Sequence, residues 1–306
     1  MTITVKQQQA RIQQLINLDD QTDKQTDAYY DECLAYIRDH LLQFYQQYAD
    51  ENGLSISRAR AHISKWDLNQ WKQAINEVDM SGWPKAATDR VKMYGATAGI
   101  DKAHVMLAII GLALLRMTVK QRQSIQQRSV KDARDEVKRM KVAYKLTPKQ
   151  SKKVTSIITQ PETVKQWSAR LWTNHDMMAN DVENLVNQYL RHGATLNDLQ
   201  DGLKKHVNKE QFKPNQSIAD CIAQAQYNTQ RLVRTESARL VDQVTMTTFR
   251  MKGVKWIQWV TEPGACSKCM GIADSGPYAI DDCPSIPDDS HPNCRCSKVS
   301  IVRKNQ

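Results

Sequence analysis

Apolar residues recur at spacings of three and four from the start of the chain to about residue 252, so helix is expected over that whole span. The clearest run is DAYYDECLAYIRDHLLQFYQQYAD (27–50), which stops just before Asn52-Gly53, a pair suited to ending a helix. Shorter helices are expected at 57–64 and 67–78. Gly82-Trp83-Pro84 breaks the pattern, and 86–96 and 102–145 follow as helix, the second with an interruption expected near Ser129. Leu146-Thr147-Pro148 marks a boundary, because proline biases the residue before it away from helical dihedrals. A second helical group opens at Pro161-Glu162, carries Trp167, Leu171, Trp172, Val182, Leu185 and Leu190, and ends at His192-Gly193. Thr195 with Asp198 three positions on is an N-capping pattern for a short helix ending near Lys205. Lys213-Pro214-Asn215 reads as a loop, and Ser217 with Asp220 caps a helix that runs to Lys252-Gly253.

Beyond Gly253 the period changes. KWIQWV (255–260) and SKVSIV (297–302) are rich in β-branched and aromatic residues and read as strands. The expected fold is mainly α, with helical N-terminal and middle regions and a small C-terminal α+β module. Along the chain this gives a helical region at 1–147 ending in a basic helix, a helical linker at 148–215, and a C-terminal module at 216–306. No repeat of fixed period and no low-complexity tract is present, and no apolar heptad is sustained far enough for a coiled coil.

A chain of 306 residues exceeds what one core usually organises, so two or three folding units are expected. The 41% hydrophobic content suits globular packing, and the 7% aromatic share points to modest cores. The start, MTITVKQQQARIQQL, lacks the basic and apolar regions of a secretory signal, so an intracellular chain at synthesis is expected. The most apolar run, His104 to Met117, falls short of the roughly 20 residues that cross a bilayer. A buried core helix with no membrane span is the expected reading, and a short membrane-active segment the alternative.

Charge sharpens the picture. Between Arg116 and Lys153 lie 13 Lys and Arg against three acids, an excess equal to the +10 of the whole chain. Lys131, Arg134, Lys138, Lys141 and Lys145 share one helix face, and Val130, Val137, Met140 and Tyr144 form an apolar stripe one step round. Such a ridge could bind nucleic acid in a salt-dependent, sequence-indifferent way. A solvated face, or one meeting an acidic protein surface, would show the same pattern.

The C-terminal region carries the candidate chemistry. Residues 266–296, CSKCMGIADSGPYAIDDCPSIPDDSHPNCRC, hold five of the seven cysteines and one of the seven histidines. An odd cysteine total argues against a disulfide framework, and clustered thiols are more often metal ligands. Cys266-x-x-Cys269 can grip one ion from a tight turn, and His291-Pro-Asn-Cys294-Arg-Cys296 offers the rest of a tetrahedral set. The expected ligands are Cys266, Cys269, His291 and Cys294 around a structural zinc, with Cys296 competing for the fourth place and Cys283 a weaker candidate. The intervening loop, with Gly271, Gly276, Pro277, Pro284 and Pro287, has too little apolar content to fold unaided, so a metal would supply stability. Cysteines that merely pack the loop, reduced or paired, remain the alternative. A catalytic ion would keep an open position beside a carboxylate, and Asp281, Asp282, Asp288 and Asp289 are near in sequence. Acidic turn residues usually face solvent, however, so no enzyme activity is expected. Arg234-Thr235-Glu236 lies inside a helix and suggests an ion pair, His175 and His192 read as surface or packing residues, and Cys33 and Cys221 as buried ones.

Taken together, the Trp-containing helix at 167–172, RHGATLNDLQ (191–200), RTESARL (234–240), MKGVKWIQWV, the Cys266/Cys269 pair and HPNCRC (291–296) resemble the phage head-morphogenesis, or Mu F-like, minor capsid proteins. The likeness covers about 164–302; GIADSGPY stands where these proteins usually carry a glycine-plus-aromatic turn, and the first 150 residues match the helical head only weakly. The resemblance implies a structural virion protein of few copies at the portal vertex inside the capsid, present in the host cytoplasm during assembly. Its implied partners are the portal protein, capsid or scaffold proteins and, in some cases, packaged double-stranded DNA. Some members of that family carry a toxin or transferase domain after this module; with ten residues beyond Cys296, none is expected here. The competing reading is a free zinc-containing nucleic-acid-binding protein or nuclease.

Overall fold

A helix of 44 residues, α1 (Val5–Tyr48), opens the fold, beginning well before the amphipathic run at 27–50. The computed structural model describes residues 2–206 and 217–302, with the side chains of 161–163 excepted; the expected loop Lys213-Pro214-Asn215 lies outside the described residues. Short helices α2 (Ile56–Ala59) and α3 (Lys65–Asn76) follow, then α4 (Lys85–Thr97) after the Gly82-Trp83-Pro84 break. Helix α5 (Lys102–Ala143) runs without interruption, and the Ser129 hydroxyl within it donates to the Ile125 carbonyl at 2.7 Å. Next come α6 (Pro148–Thr155), a 3₁₀ turn (Ser156–Thr159), α7 (Pro161–His192), α8 (Leu196–Gly202) and α9 (Ile218–Met251). Strand β1 (Trp256–Val260), helix α10 (Ser267–Ser275), strand β2 (Tyr278–Ala279) and strand β3 (Ser297–Ile301) complete the chain.

Local chemistry sets the boundaries. Ser64 with Asp67, Thr147 with Gln150, and Thr195 with Asp198 each form reciprocal capping boxes. The Asp220 backbone N–H donates to Ser217 Oγ at 3.0 Å, as its spacing predicted. Gly53 adopts φ +93 after α1, and a Cβ there would lie 2.6 Å from the Ala194 carbonyl oxygen, so only glycine fits the bridge between Leu54 and Ala194.

The segments 1–147, 148–215 and 216–306 describe order along the chain; in space the chain groups into two compact units, each assembled from separate stretches. One combines residues 1–24, 123–169 and 230–306, the other 25–122 and 170–229. The four longest helices therefore contribute one part to each unit.

In the second unit, Ile37 and Leu41 of α1, Ile110 and Leu114 of α5, Val182 of α7 and Ile222 of α9 form an almost fully buried core. The apolar run at 104–117 belongs to this core. Helix α5 as a whole is long and apolar enough by composition to cross a bilayer, but 78% of its apolar window is buried inside the protein. His175 is buried against Trp172 rather than on the surface. The Thr118 hydroxyl donates to the Leu114 carbonyl and lies 2.9 Å from His175 Nδ1, which fixes Nδ1 as the protonated nitrogen of a neutral ring; Nε2 faces the Tyr94 hydroxyl at 3.3 Å. Burial pushes the His175 pKa down to about 4. The unfolded chain, with an ordinary imidazole, takes up a proton below about pH 6.5 that the folded one refuses, so stability falls between those values by about 3 kcal/mol. Acid unfolding should show this loss, and His175→Gln should remove that part of the pH dependence; an unaltered acid limb would contradict the assignment.

In the first unit the antiparallel sheet has order β2-β1-β3, with Trp256 opposite Ile301 and Val260 opposite Ser297. Ile257, Val260 and Val299 of the sheet pack with Ile12 of α1, Ala133 and Met140 of α5, and Val244 and Phe249 of α9. The fold is mainly helical with a small C-terminal three-stranded sheet, as the change of period predicted.

Candidate metal centre

Strands β1 and β3 run antiparallel, which brings the residues after β1 beside those before β3. Cys266 and Cys269 sit at the start of α10, where Cys266 is the N-cap and its sulfur accepts from the Cys269 backbone N–H at 3.5 Å. The segment expected to be an unstructured loop thus contains a helix, and its second cysteine points into a small core with Trp259, Ile286, Cys294 and Cys296.

Two ligand triads result: Cys266, Cys269 and His291, and Cys269, Cys294 and Cys296, each with its donor atoms within 4.8 Å of one another. Cys269 belongs to both, and its sulfur lies 3.7 Å from that of Cys294. All four expected ligands therefore meet in one cluster, together with Cys296. Cys283 belongs to neither triad; it is half-buried against the main core of this unit, and burial raises its thiol to about 11. Neither triad includes a carboxylate among the described residues, and the Asp281 side chain is 85% exposed beside Arg250.

Protonation within the cluster is divided. Cys294 is pulled down to about 6, chiefly by the hydrogen bond that Cys296 donates to it; Cys296 is pushed far up by that bond and by burial. Burial raises Cys269 to about 12, while the Cys269 backbone N–H lowers Cys266. Burial alone would lower His291, but the Pro292 carbonyl and the Cys294 and Cys266 sulfurs outweigh it and raise its pKa. The His291 Nδ1–H that faces the Pro292 carbonyl at 2.8 Å leaves Nε2 as the free lone pair, the orientation of a metal-bound imidazole. Thiols that share protons when metal-free can become thiolates around a divalent ion, which supplies the compensating charge. The donor set of four sulfurs and one imidazole suits a soft or borderline ion.

A buried polar network lies on the other side of the HPNCRC segment. Arg295 is 1% exposed and donates through Nε and Nη2 to both carboxylate oxygens of Asp19, the Nε bond at 2.7 Å. Its Nη1 donates to Ser237 Oγ at 2.9 Å, and that hydroxyl donates to Asp132. Arg128 bridges Asp132 (2.6 Å) and Asp19 (3.1 Å), while Arg234 pairs with Glu262 (2.7 Å) and approaches Asp19 (3.5 Å). Three guanidiniums and three carboxylates are thereby matched, which such burial requires. The expected ion pair of the Arg234-Thr235-Glu236 segment is present, with Glu236 also holding Arg239. A second buried pair, Lys298 with Asp242 at 2.9 Å, ties β3 to α9, and Asp242 also accepts from the Ile286 backbone.

Sequence reasoning missed Asp19, Asp132 and Glu262. The available signal was an acid on an apolar face: Ile12, Leu15 and Asp19 share helical spacing, as do Ile125, Ser129, Asp132 and Glu136.

The basic ridge is present in modified form. Lys131, Arg134, Lys138 and Lys141 are exposed on α5, with Val137 and Met140 buried on the packing side. Lys145 is exposed but lies beyond the helix end, at φ 48, so it does not extend the face. Arg128 and Arg139 are committed to internal carboxylates, and Lys138 contacts Asp135 at 3.2 Å. Gln126, Gln127, Val130, Lys131, Arg134 and Lys138 line one open, shallow groove. No protein-family model matches the chain, and no curated protein or solved structure matches it.

Proposed function

We propose that the chain is a non-enzymatic virion assembly protein of the phage minor head type, with a zinc-stapled C-terminal module and a basic helix face for packaged double-stranded DNA. The observation that carries this reading is the convergence of Cys266-x-x-Cys269 with HPNCRC at the joined ends of β1 and β3. Zinc is the ion of choice because thiols and an imidazole, with no carboxylate in either triad, are the donors that structural zinc sites use. Cys269, common to both triads, is the indispensable ligand; Cys266, His291 and Cys294 supply the other three, with Cys296 competing for the fourth place.

On this reading the protein associates with the portal and with capsid or scaffold proteins at the portal vertex, and with DNA through phosphates alone. Lys131 and Lys141 are separated by about 15 Å along α5, long enough to follow several phosphates. Binding to random duplex DNA should weaken linearly in log–log plots against salt. Lys131→Glu with Arg134→Glu and Lys138→Glu should lower that slope by about 3 and leave sequence preference nil. Equal binding by the triple variant would remove DNA from the reading. The assembly role itself is tested by deleting the gene: heads that still package DNA and infect normally would refute it, and co-purification with portal protein from procapsids is the expected result.

A further inference from the structure

The segment Cys294-Arg295-Cys296 leads into β3, and its neighbours contact different partners. Cys294 and Cys296 share a triad with Cys269, whereas Arg295, between them, contacts Asp19 of α1 and Ser237 of α9. Extended backbone sends successive side chains to opposite sides, so two residues held by an ion would fix the direction of the one between. The same short stretch makes three more links. The Arg295 backbone N–H donates to Glu262 Oε1 at 2.8 Å, the Glu262 backbone N–H donates to Cys296 Sγ at 3.5 Å, and Ser297 Oγ accepts from Gln8 of α1 at 2.5 Å.

The first 24 residues belong to the same compact unit as the cluster, although some 270 residues separate them along the chain. Inside this unit, Asp19 draws its ligands from Arg295, Arg128 and Arg234, and the Arg295 fork is the contact that depends on the geometry of the cysteines. We infer that metal occupancy latches the first part of α1: the ion holds Cys294 and Cys296, these aim Arg295 into the Asp19 carboxylate, and that pair with Gln8–Ser297 fixes residues 5–24. This rests on the metal reading above and adds to it a mechanical consequence, control of the N-terminal helix by an ion bound near the C-terminus. The coupling is reciprocal, so weakening Asp19–Arg295 must weaken metal binding.

The test is hydrogen exchange on the full chain, with zinc removed by a chelator and then restored as Zn²⁺, and metal content measured on the same samples. Amides of residues 8–22 should exchange at least tenfold faster without zinc and recover on its return, while α3, in the other unit, should not change. Arg295→Met should still load zinc at saturating Zn²⁺, with affinity lowered at least tenfold, yet show fast exchange at 8–22 in both states. If that variant does not fold, Asp19→Asn serves instead, with zinc affinity expected to drop at least tenfold. Exchange at 8–22 that ignores chelation in a zinc-bearing wild type, or zinc affinity unchanged in Asp19→Asn, would overturn the latch and leave the metal site standing. A wild type that binds no zinc at all would overturn the metal reading itself, and the latch with it.

Discussion

Cys269→Ser should cost the C-terminal module its fold. Cys269 belongs to both ligand triads and is fully buried, so no pairing of the remaining donors restores a set of four without rearrangement. Structural zinc in small modules contributes about 10–16 kcal/mol of apparent binding free energy at neutral pH. That is as large as the whole stability of an ordinary domain, about 5–15 kcal/mol. The local apolar core beside the cluster is small, formed by Ala238, Trp259, Cys269, Ile286, Cys294 and Cys296, and half of it is cysteine. The variant should therefore be cut by protease between residues 261 and 296, while fragments of the other unit, whose core contains Ile37, Ile110 and Val182, stay intact. Cys283→Ser, outside both triads, should behave as wild type in the same digest.

Asp19→Ala should produce the second large effect, by about 3–5 kcal/mol, because it strands guanidinium groups of Arg295 and Arg128 in the interior without their carboxylate. With a urea m-value of about 1–3 kcal/mol/M, the midpoint read from Trp256 and Trp259 should fall by at least about 1 M. Asp19→Leu combined with Arg295→Met removes both charges and should recover much of the loss, as replacement of buried ion pairs by apolar groups generally does. A shift under about 1 kcal/mol for Asp19→Ala would mean that water reaches the network and that its burial is not real.

Much of this architecture was legible beforehand because it rests on local rules. The stops at Gly82-Trp83-Pro84 and Gly253, the boundary at Leu146-Thr147-Pro148, the caps at Thr195 and Ser217, and the strands at 255–260 and 297–302 all depend on a few adjacent residues, and each falls where spacing placed it. The cysteine–histidine cluster was legible because thiol spacing is itself the signal. What stayed hidden is long-range. The first part of α1 is rich in Gln and Asp, and its helicity comes from packing Ile12 and Leu15 and burying Asp19 against residues far along the chain. Helix α10 was hidden by glycine and by its small size, and the two units were hidden because each takes alternate stretches of the chain. Arg128 and Arg139 counted toward the charge excess of 116–153 by sequence and pair with internal carboxylates in the fold, which leaves fewer free cations there than the raw excess suggests.

The most direct test of the account is metal content per chain, by mass spectrometry under native conditions, on protein purified without chelator. One zinc per chain in the wild type, absent from Cys269→Ser and retained by Cys283→Ser, is the expected result. A folded wild-type chain that carries no metal, and whose mass and stability do not change on adding Zn²⁺, would contradict it.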